Sequence, residues 1–248
     1  MSRHNRADFR IGVLVPFTNS NLEPDLMRMC PPGCALHFHR TGGYDVDEIP
    51  GADQMADLGE LDLSHDLAMI AGARPDILLY GCTSATLTHG ASFDRELAAK
   101  IQKASGATTI TAAGALVLAL QALNIQRIGF SSPYVGGINQ FAVDFLEQGG
   151  IETVKRADIG RELGCFGQGE LSPEEVYQLA LQADDPNAQA IVLSCTDMRS
   201  VEAIDRIEAT IDKAVVTSNQ AMMFCLCQKL GLLPHVGHPG RLFDLLRH

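Results

Sequence analysis

Short apolar runs alternate along the chain with longer amphipathic stretches. Eight runs of five to seven residues read as strands: 10–15, 35–40, 76–80, 107–111, 126–130, 150–156, 189–194 and 213–217. Six longer segments carry a helical pattern: 93–105, 115–123, 139–148, 173–183, 200–211 and 219–230. Strands alternating with helices predict parallel sheets in an α/β fold.

The order of elements repeats. "RIGVLVP" near the start is echoed by "RIGFSSP", "DILLYGCTSAT" by "AIVLSCTDMRS", and "TTITAAGA" by "KAVVTSNQA". Gly12 recurs as Gly129, Cys82 as Cys195 and Thr111 as Thr217, at offsets of 106 to 117 residues. Solenoid units span only about 20–50 residues. The repeat therefore predicts two pseudo-symmetric α/β halves, with the active site in the cleft between them. The first half is assigned to 1–114 plus 220–248, the second to 115–219.

Ligands of open α/β sheets bind beyond the carboxyl ends of the strands. Cys82 and Cys195 both fall just past such an end, each followed by Thr and small polar residues. A helix start nearby would supply free N–H groups and a positive partial charge, which lower a thiol pKa and bind carboxylates. Cys82 is thus expected to favour its thiolate and to react ahead of Cys30, Cys34, Cys225 and Cys227. Packing is the rival reading, since free cysteine is among the most buried residue types. A Cys-Thr pair at equivalent strand ends of both halves favours function. Two opposed acid/base groups suit chemistry at a carbon next to a carboxylate.

Composition narrows the classes. The chain has 248 residues, 46% of them hydrophobic, so a sizeable core can form. The net charge of −11 argues against nucleic acid as a partner, because that affinity rests on clustered Lys and Arg. The longest apolar run, 115–120, is far shorter than the about 20 residues a membrane helix needs. "MSRHNRADFR" carries no apolar signal core. With seven cysteines, an odd number, this predicts reduced thiols in the cytoplasm.

The sequence resembles the aspartate/glutamate racemase superfamily, in the branch of maleate cis-trans isomerases and arylmalonate decarboxylases. The resemblance runs from Ile11 to about Leu232. It is carried by "VPFTNSNLE", "YGCTSAT", "SSPYVGGIN", "SCTDMRS" and "VVTSNQA". It implies that Cys82 is the nucleophile and Cys195 its acid/base partner. It further implies that Asn19 and Tyr134 hydrogen-bond the ligand, and that Thr83, Ser84 and Thr196 line a carboxylate pocket. Decarboxylases of the branch lack the first cysteine, so two cysteines favour an isomerase or racemase.

The implied reaction is cofactor-independent isomerisation of a small unsaturated dicarboxylate such as maleate. Cys82 adds to the double bond, the charge is held as an enediolate, the new single bond rotates, and the thiolate leaves. Rival readings are two-base racemisation of an amino acid or hydantoin, arylmalonate-type decarboxylation, and a non-catalytic ligand-binding or thiol-redox protein. The implied partner is a small carboxylate, with a homo-oligomer possible. One departure concerns the loop after the second half's second strand. The isomerases carry an asparagine there, whereas this chain reads "RELGCFGQGE", with Cys165 and Gln168. Arg40 and Tyr44 in "HFHRTGGYD" offer substitutes.

Other signals are weaker. Cys30, Cys34, His37 and His39 lie close together, but no second cysteine pair follows at finger spacing. A Pro-Pro-Gly turn into a strand explains them better than a metal, and no metal is expected. Cys225 and Cys227 read as core. His89 either tunes the thiol or serves as a cap or surface residue. Asp197 either opposes a dianionic substrate or points into solvent. The acidic stretch from Gly43 to Asp66 reads as a solvated segment or a flap over the cleft. No nucleotide motif is present, so no cofactor is expected.

Overall fold

The computed structural model describes residues 7–43, 45–47, 51–235 and 240–247. The first part of the chain runs β1 (Phe9–Val15), α1 (Leu22–Met29), β2 (Cys34–Arg40), α2 (Ala52–Glu60), α3 (Ser64–Ala71), β3 (Ile77–Tyr80), α4 (Thr83–Leu87), α5 (Ala91–Ser105), β4 (Thr108–Thr111) and α6 (Ala112–Ala122). It continues with β5 (Arg127–Ser132), α7 (Gly136–Gln148), β6 (Glu152–Asp158), α8 (Gly167–Glu170), α9 (Pro173–Ala183), β7 (Ala190–Leu193), α10 (Ile204–Ile211), β8 (Ala214–Thr217) and α11 (Ser218–Leu230). A short 3-10 turn, Val201–Ala203, precedes α10, and another, Arg241–Arg247, follows α11.

These strands form two four-stranded parallel sheets, ordered β2-β1-β3-β4 and β6-β5-β7-β8. The expected α/β class and the repeat are both present, since the two orders are the same permutation. In each sheet the chain crosses one way from the first strand and the other way from the third. The crevice between β1 and β3, and that between β5 and β7, is therefore a topological switch point, open at the carboxyl ends. β3 and β7 are buried along their whole length, as parallel strands covered on both faces must be. The edge strands β2 and β6 stay partly exposed.

All eight strands lie close to the predicted positions. The missed helices are α1, α2, α3, α4 and α8, which run four to nine residues, too short for the 3.6 period to show clearly. The predicted helix 200–211 begins instead as the 3-10 turn. α6 starts earlier than predicted because Thr111 caps it, its hydroxyl oxygen accepting the Gly114 N–H at 3.1 Å. The acidic stretch is not simply solvated. It holds α2, which buries Met55 and Leu58, and the first residues of α3.

α6 and α11 are apolar on most faces and pack against each other in the core. Cys225 and Cys227 sit there, buried among Met, Leu and Phe. α11 also meets α1, where Asn219 Nδ2 donates to Asp25 Oδ2 at 2.7 Å. Burial raises the Asp25 carboxyl from 3.8 to about 7, with the Asn219 N–H only partly offsetting it.

Two expectations follow. An added Cβ at Gly129 would lie 2.1 Å from the Ala183 carbonyl oxygen, a backbone atom. At Gly12 the nearest atom is the Ile70 side chain at 3.1 Å. Gly129→Ala should cost about 3 kcal/mol in urea unfolding, and Gly12→Ala about 1 kcal/mol, despite their equivalent positions. For Asp25 the folded pKa exceeds the unfolded one, so its contribution to stability is present below about pH 4 and is lost as pH rises through about 7. Unfolding curves between pH 4 and 8 should show Asp25→Asn gaining steadily on the wild type with rising pH.

Candidate active site

The loops after β1, β3, β5 and β7 bring Asn19, Cys82, Tyr134 and Cys195 onto one cavity of about 40 Å³, which Thr83, Ser84 and Thr196 also line. All seven residues singled out from the sequence thus meet at one place. Both cysteines are buried, 8% and 4% exposed.

Glycine precedes Cys82 for a steric reason. A Cβ at Gly81 would sit 2.3 Å from Leu22 Cδ2 and 2.8 Å from the Leu14 carbonyl oxygen. The Gly81 carbonyl is then held from the other sheet. Thr196 donates its hydroxyl to it at 2.8 Å and accepts from Asn19 Nδ2 at 2.9 Å. The Asn19 side-chain oxygen accepts the N–H groups of Asn21 and Leu22 at 3.1 and 2.9 Å, shaping the turn into α1. Thr83 likewise donates to Ser218 at the start of α11, at 3.0 Å. The Thr83 and Thr196 hydroxyls are committed to protein partners even as both residues face the cavity.

Asp197 neither points into solvent nor stands unpaired. It is 7% exposed, and its Oδ1 accepts the N–H groups of Ser20 and Asn21 at 2.8 and 3.0 Å and Asn21 Nδ2 at 3.2 Å. It grips the loop that carries Asn19. Arg40 does not reach the cavity. Its guanidinium donates to the Asn19 carbonyl at 2.7 Å and pairs with Glu23 at 2.7 Å, bracing the same loop from outside. Tyr44 lies outside the described residues.

In the second half Asn139 plays the part of a loop shaper. It is fully buried, accepts the Ser132 hydroxyl, and donates to the Tyr134 carbonyl at 2.8 Å and to Asp158 at 2.6 Å. The Tyr134 hydroxyl thereby stands 4.0 Å from Cys195 Sγ.

The thiols differ from the sequence expectation. Burial raises Cys82 above its ordinary value, only partly offset by the Ala85 N–H and the Ser84 hydroxyl 3.8 Å away. Desolvation outweighs the five-residue α4 that begins at Thr83. A depressed pKa therefore gives no reason for Cys82 to outpace Cys30 or Cys34 in alkylation. Cys195 is pushed up to about 12, by burial first and then by the Asp197 carboxylate. The Asp197 and Met198 N–H groups and the Tyr134 hydroxyl offset part of this, the first lying 3.4 Å from the sulfur. Among the described residues no carboxylate acts on Cys82, so the two environments are not equivalent.

Several wall residues escaped the sequence reading: Thr18, and Met55 and Leu58 from α2. The i, i+3 spacing of Met55 and Leu58 was the available signal. Cys165 and Gln168, in the loop that lacks asparagine, also reach the cavity. α2 is fastened close by, with His89 Nε2 2.9 Å from the Ala56 carbonyl oxygen and the His89 ring stacked on Phe93. Elsewhere, His39 pairs with Asp66 at 2.8 Å, and the Cys30 thiol faces the Pro31 and Cys34 carbonyls. Among the described residues no three His, Cys, Asp or Glu side chains converge, and no helix is long and apolar enough to cross a membrane.

Residues 11–243 match the family model described as arylmalonate decarboxylase. Over 253 aligned residues the chain is 27% identical to a maleate isomerase of Pseudomonas putida, covering 95% of this chain and 97% of that one. It is 25% identical to an arylmalonate decarboxylase of Bordetella bronchiseptica, covering 93% and 92%. Among solved structures, a cysteine-to-serine variant of Nocardia farcinica maleate cis-trans isomerase, with a covalently bound succinylcysteine intermediate, matches at a TM-score of 0.83 and 25% identity. That match covers 97% of this chain and 99% of the other.

Proposed function

The chain belongs to the arylmalonate decarboxylase family, and within it we propose that it is a cofactor-independent cis-trans isomerase of a maleate-type dicarboxylate. The observation that carries this reading is the pair of buried cysteines, one from each sheet, on one cavity. A decarboxylase needs a single proton donor at the carbon that loses carbon dioxide. A second sulfur has a task only where a bond to carbon is made or a second proton is moved.

In the proposed reaction the Cys82 thiolate adds to one double-bond carbon. The displaced π electrons move onto the neighbouring carbon and its carboxylate as an enediolate. Cys195, held protonated by burial and by Asp197, delivers its proton to that carbon and gives a succinyl thioether. The carbon–carbon bond is now single and rotates. The Cys195 thiolate takes a proton back, the double bond re-forms in the trans geometry, and Cys82 leaves as thiolate. The Ser84 and Tyr134 hydroxyls, with the backbone N–H groups that follow each cysteine, are the donors for the developing charge, since the Thr83 and Thr196 hydroxyls are engaged. Such preorganised donors are worth a few kcal/mol each. The relative of known structure that holds a succinylcysteine supports the covalent route.

A second reading, decarboxylation of a substituted malonate, is favoured by the family model's own description. Proton NMR separates the two. Maleate should lose its vinyl signal to that of fumarate, and phenylmalonate should release no carbon dioxide. Decarboxylation without isomerisation reverses the assignment.

Cys82→Ser should be inactive, because a serine hydroxyl is hardly ionised near neutral pH. Cys195→Ser should lose about 10²–10⁴-fold in rate and accumulate one substrate mass on Cys82 in intact-protein mass spectrometry. A two-base racemase would accumulate nothing in either variant. The kcat/KM for maleate should climb with pH above neutrality as Cys82, raised by burial, ionises. No falling limb from Cys195 should appear below about pH 11, since that thiol is held at about 12.

A further inference from the structure

A second cavity, of about 260 Å³, adjoins the one that holds the cysteines, and Tyr134 and Gln168 line both. The cysteine cavity has room for only a few waters, at roughly 10–15 Å³ each. The second is several times larger. Its side chains are mostly apolar, with Ala52, Val135, Ile138 and Leu163 among them, and glycine backbone fills the gaps.

Among the described residues its charged lining is Arg161 and Glu162. Arg161 is already paired with Glu175 at 2.7 Å. Glu162 is exposed and has no ion-pair partner among the described residues. An anionic group entering here would meet Glu162 with no free cation among the described lining residues to balance it. At the junction, the Gln168 side-chain N–H is held by the Gly164 carbonyl at 2.9 Å. Its Oε1 has no partner among the described residues although the residue is 6% exposed. That oxygen accepts hydrogen bonds and offers nothing to a carboxylate.

Resting on the reaction proposed above, we infer that the preferred substrate is not bare maleate. It is a cis-butenedioate with a neutral, mainly apolar substituent of several carbons, which passes Tyr134 and Gln168 into the second cavity. A hydroxyl or amide N–H near the attachment point suits Gln168 Oε1. Each methylene buried there should be worth about fourfold in affinity.

The test compares kcat/KM for maleate, 2-methylmaleate and 2-propylmaleate. In parallel, titration calorimetry compares succinate with 2-propylsuccinate, which bind without reacting. The propyl compounds should be favoured by about tenfold or more in both measurements. Gly137 lines the second cavity, and a Cβ added there meets nothing within 4 Å, so Gly137→Leu should fold and fill the space. It should erase the propyl preference, as should Leu163→Phe at another lining position. Equal values for maleate and propylmaleate and for the two succinates would overturn the inference. So would a preference that survives both variants. If no butenedioate is isomerised but 2-propylsuccinate still binds more tightly, and loses that advantage in Gly137→Leu, the cavity assignment stands and the isomerase reading falls.

Discussion

The Thr196 hydroxyl is the interaction on which the site depends. It accepts from Asn19 and donates to the Gly81 carbonyl, so one oxygen joins the loop after β7 to the loops after β1 and β3. The Thr196 backbone carbonyl accepts from Asn219, which also holds Asp25 on α1. Next to it, Asp197 takes the N–H groups of Ser20 and Asn21. The residues flanking Cys82 and Cys195 are thereby bonded to each other across the two sheets. Two sulfurs can act on opposite sides of one small molecule only if their backbones are held in register. The pairing of these buried polar groups holds the loops in place, since leaving one unpaired costs about 1–3 kcal/mol, although Ser194 Oγ and Asn219 Oδ1 are buried without a partner among the described residues.

That enclosure has an electrostatic consequence. Removing both thiols from water raises both, and Asp197, whose carboxylate locks the loop, raises Cys195 further. One feature thus serves the structure and the chemistry together. In the proposed reaction the proton donor, Cys195, is kept protonated by burial and by the same carboxylate that fastens the two sheets. Among the described residues no carboxylate adds to the rise of Cys82, and a hydroxyl and an N–H beside it offset part of its burial. Two chemically identical side chains thus stand in different electrostatic surroundings, which is what the proposed division of tasks requires.

The similarity of the two sheet orders shows where each half has diverged. Asn19 and Asn139 both shape a loop after the first strand of their sheet, yet Asn19 bonds across to Thr196 and Asn139 bonds within its own half. Gly12 and Gly129 occupy equivalent strand positions, but only Gly129 faces a backbone atom at impossible range for a side chain. The equivalence of sequence position does not carry over to equivalence of environment.

Much was legible along the chain. Strand positions, the parallel α/β class, the internal repeat and the meeting of Cys82 with Cys195 all follow from short-range pattern, because strand spacing and strand-end chemistry are local. Thr83, Ser84, Thr196, Asn19 and Tyr134 were found through motif resemblance, and they do face the same cavity. The sign of the Cys82 shift was not legible. It is set by how much protein surrounds the sulfur, which no run of neighbours encodes. Nor was the engagement of Asp197 by Ser20 and Asn21, whose positions differ by about 176 residues. The reach of Met55 and Leu58 into the site was hidden in an acidic stretch whose helices are short. The sequence by itself determined which groups stand at the strand ends. Only the tertiary structure decided which hydroxyls are spent on the frame, which thiol a carboxylate raises further, and where room remains beside them, because burial and long-range pairing arise only when distant segments pack.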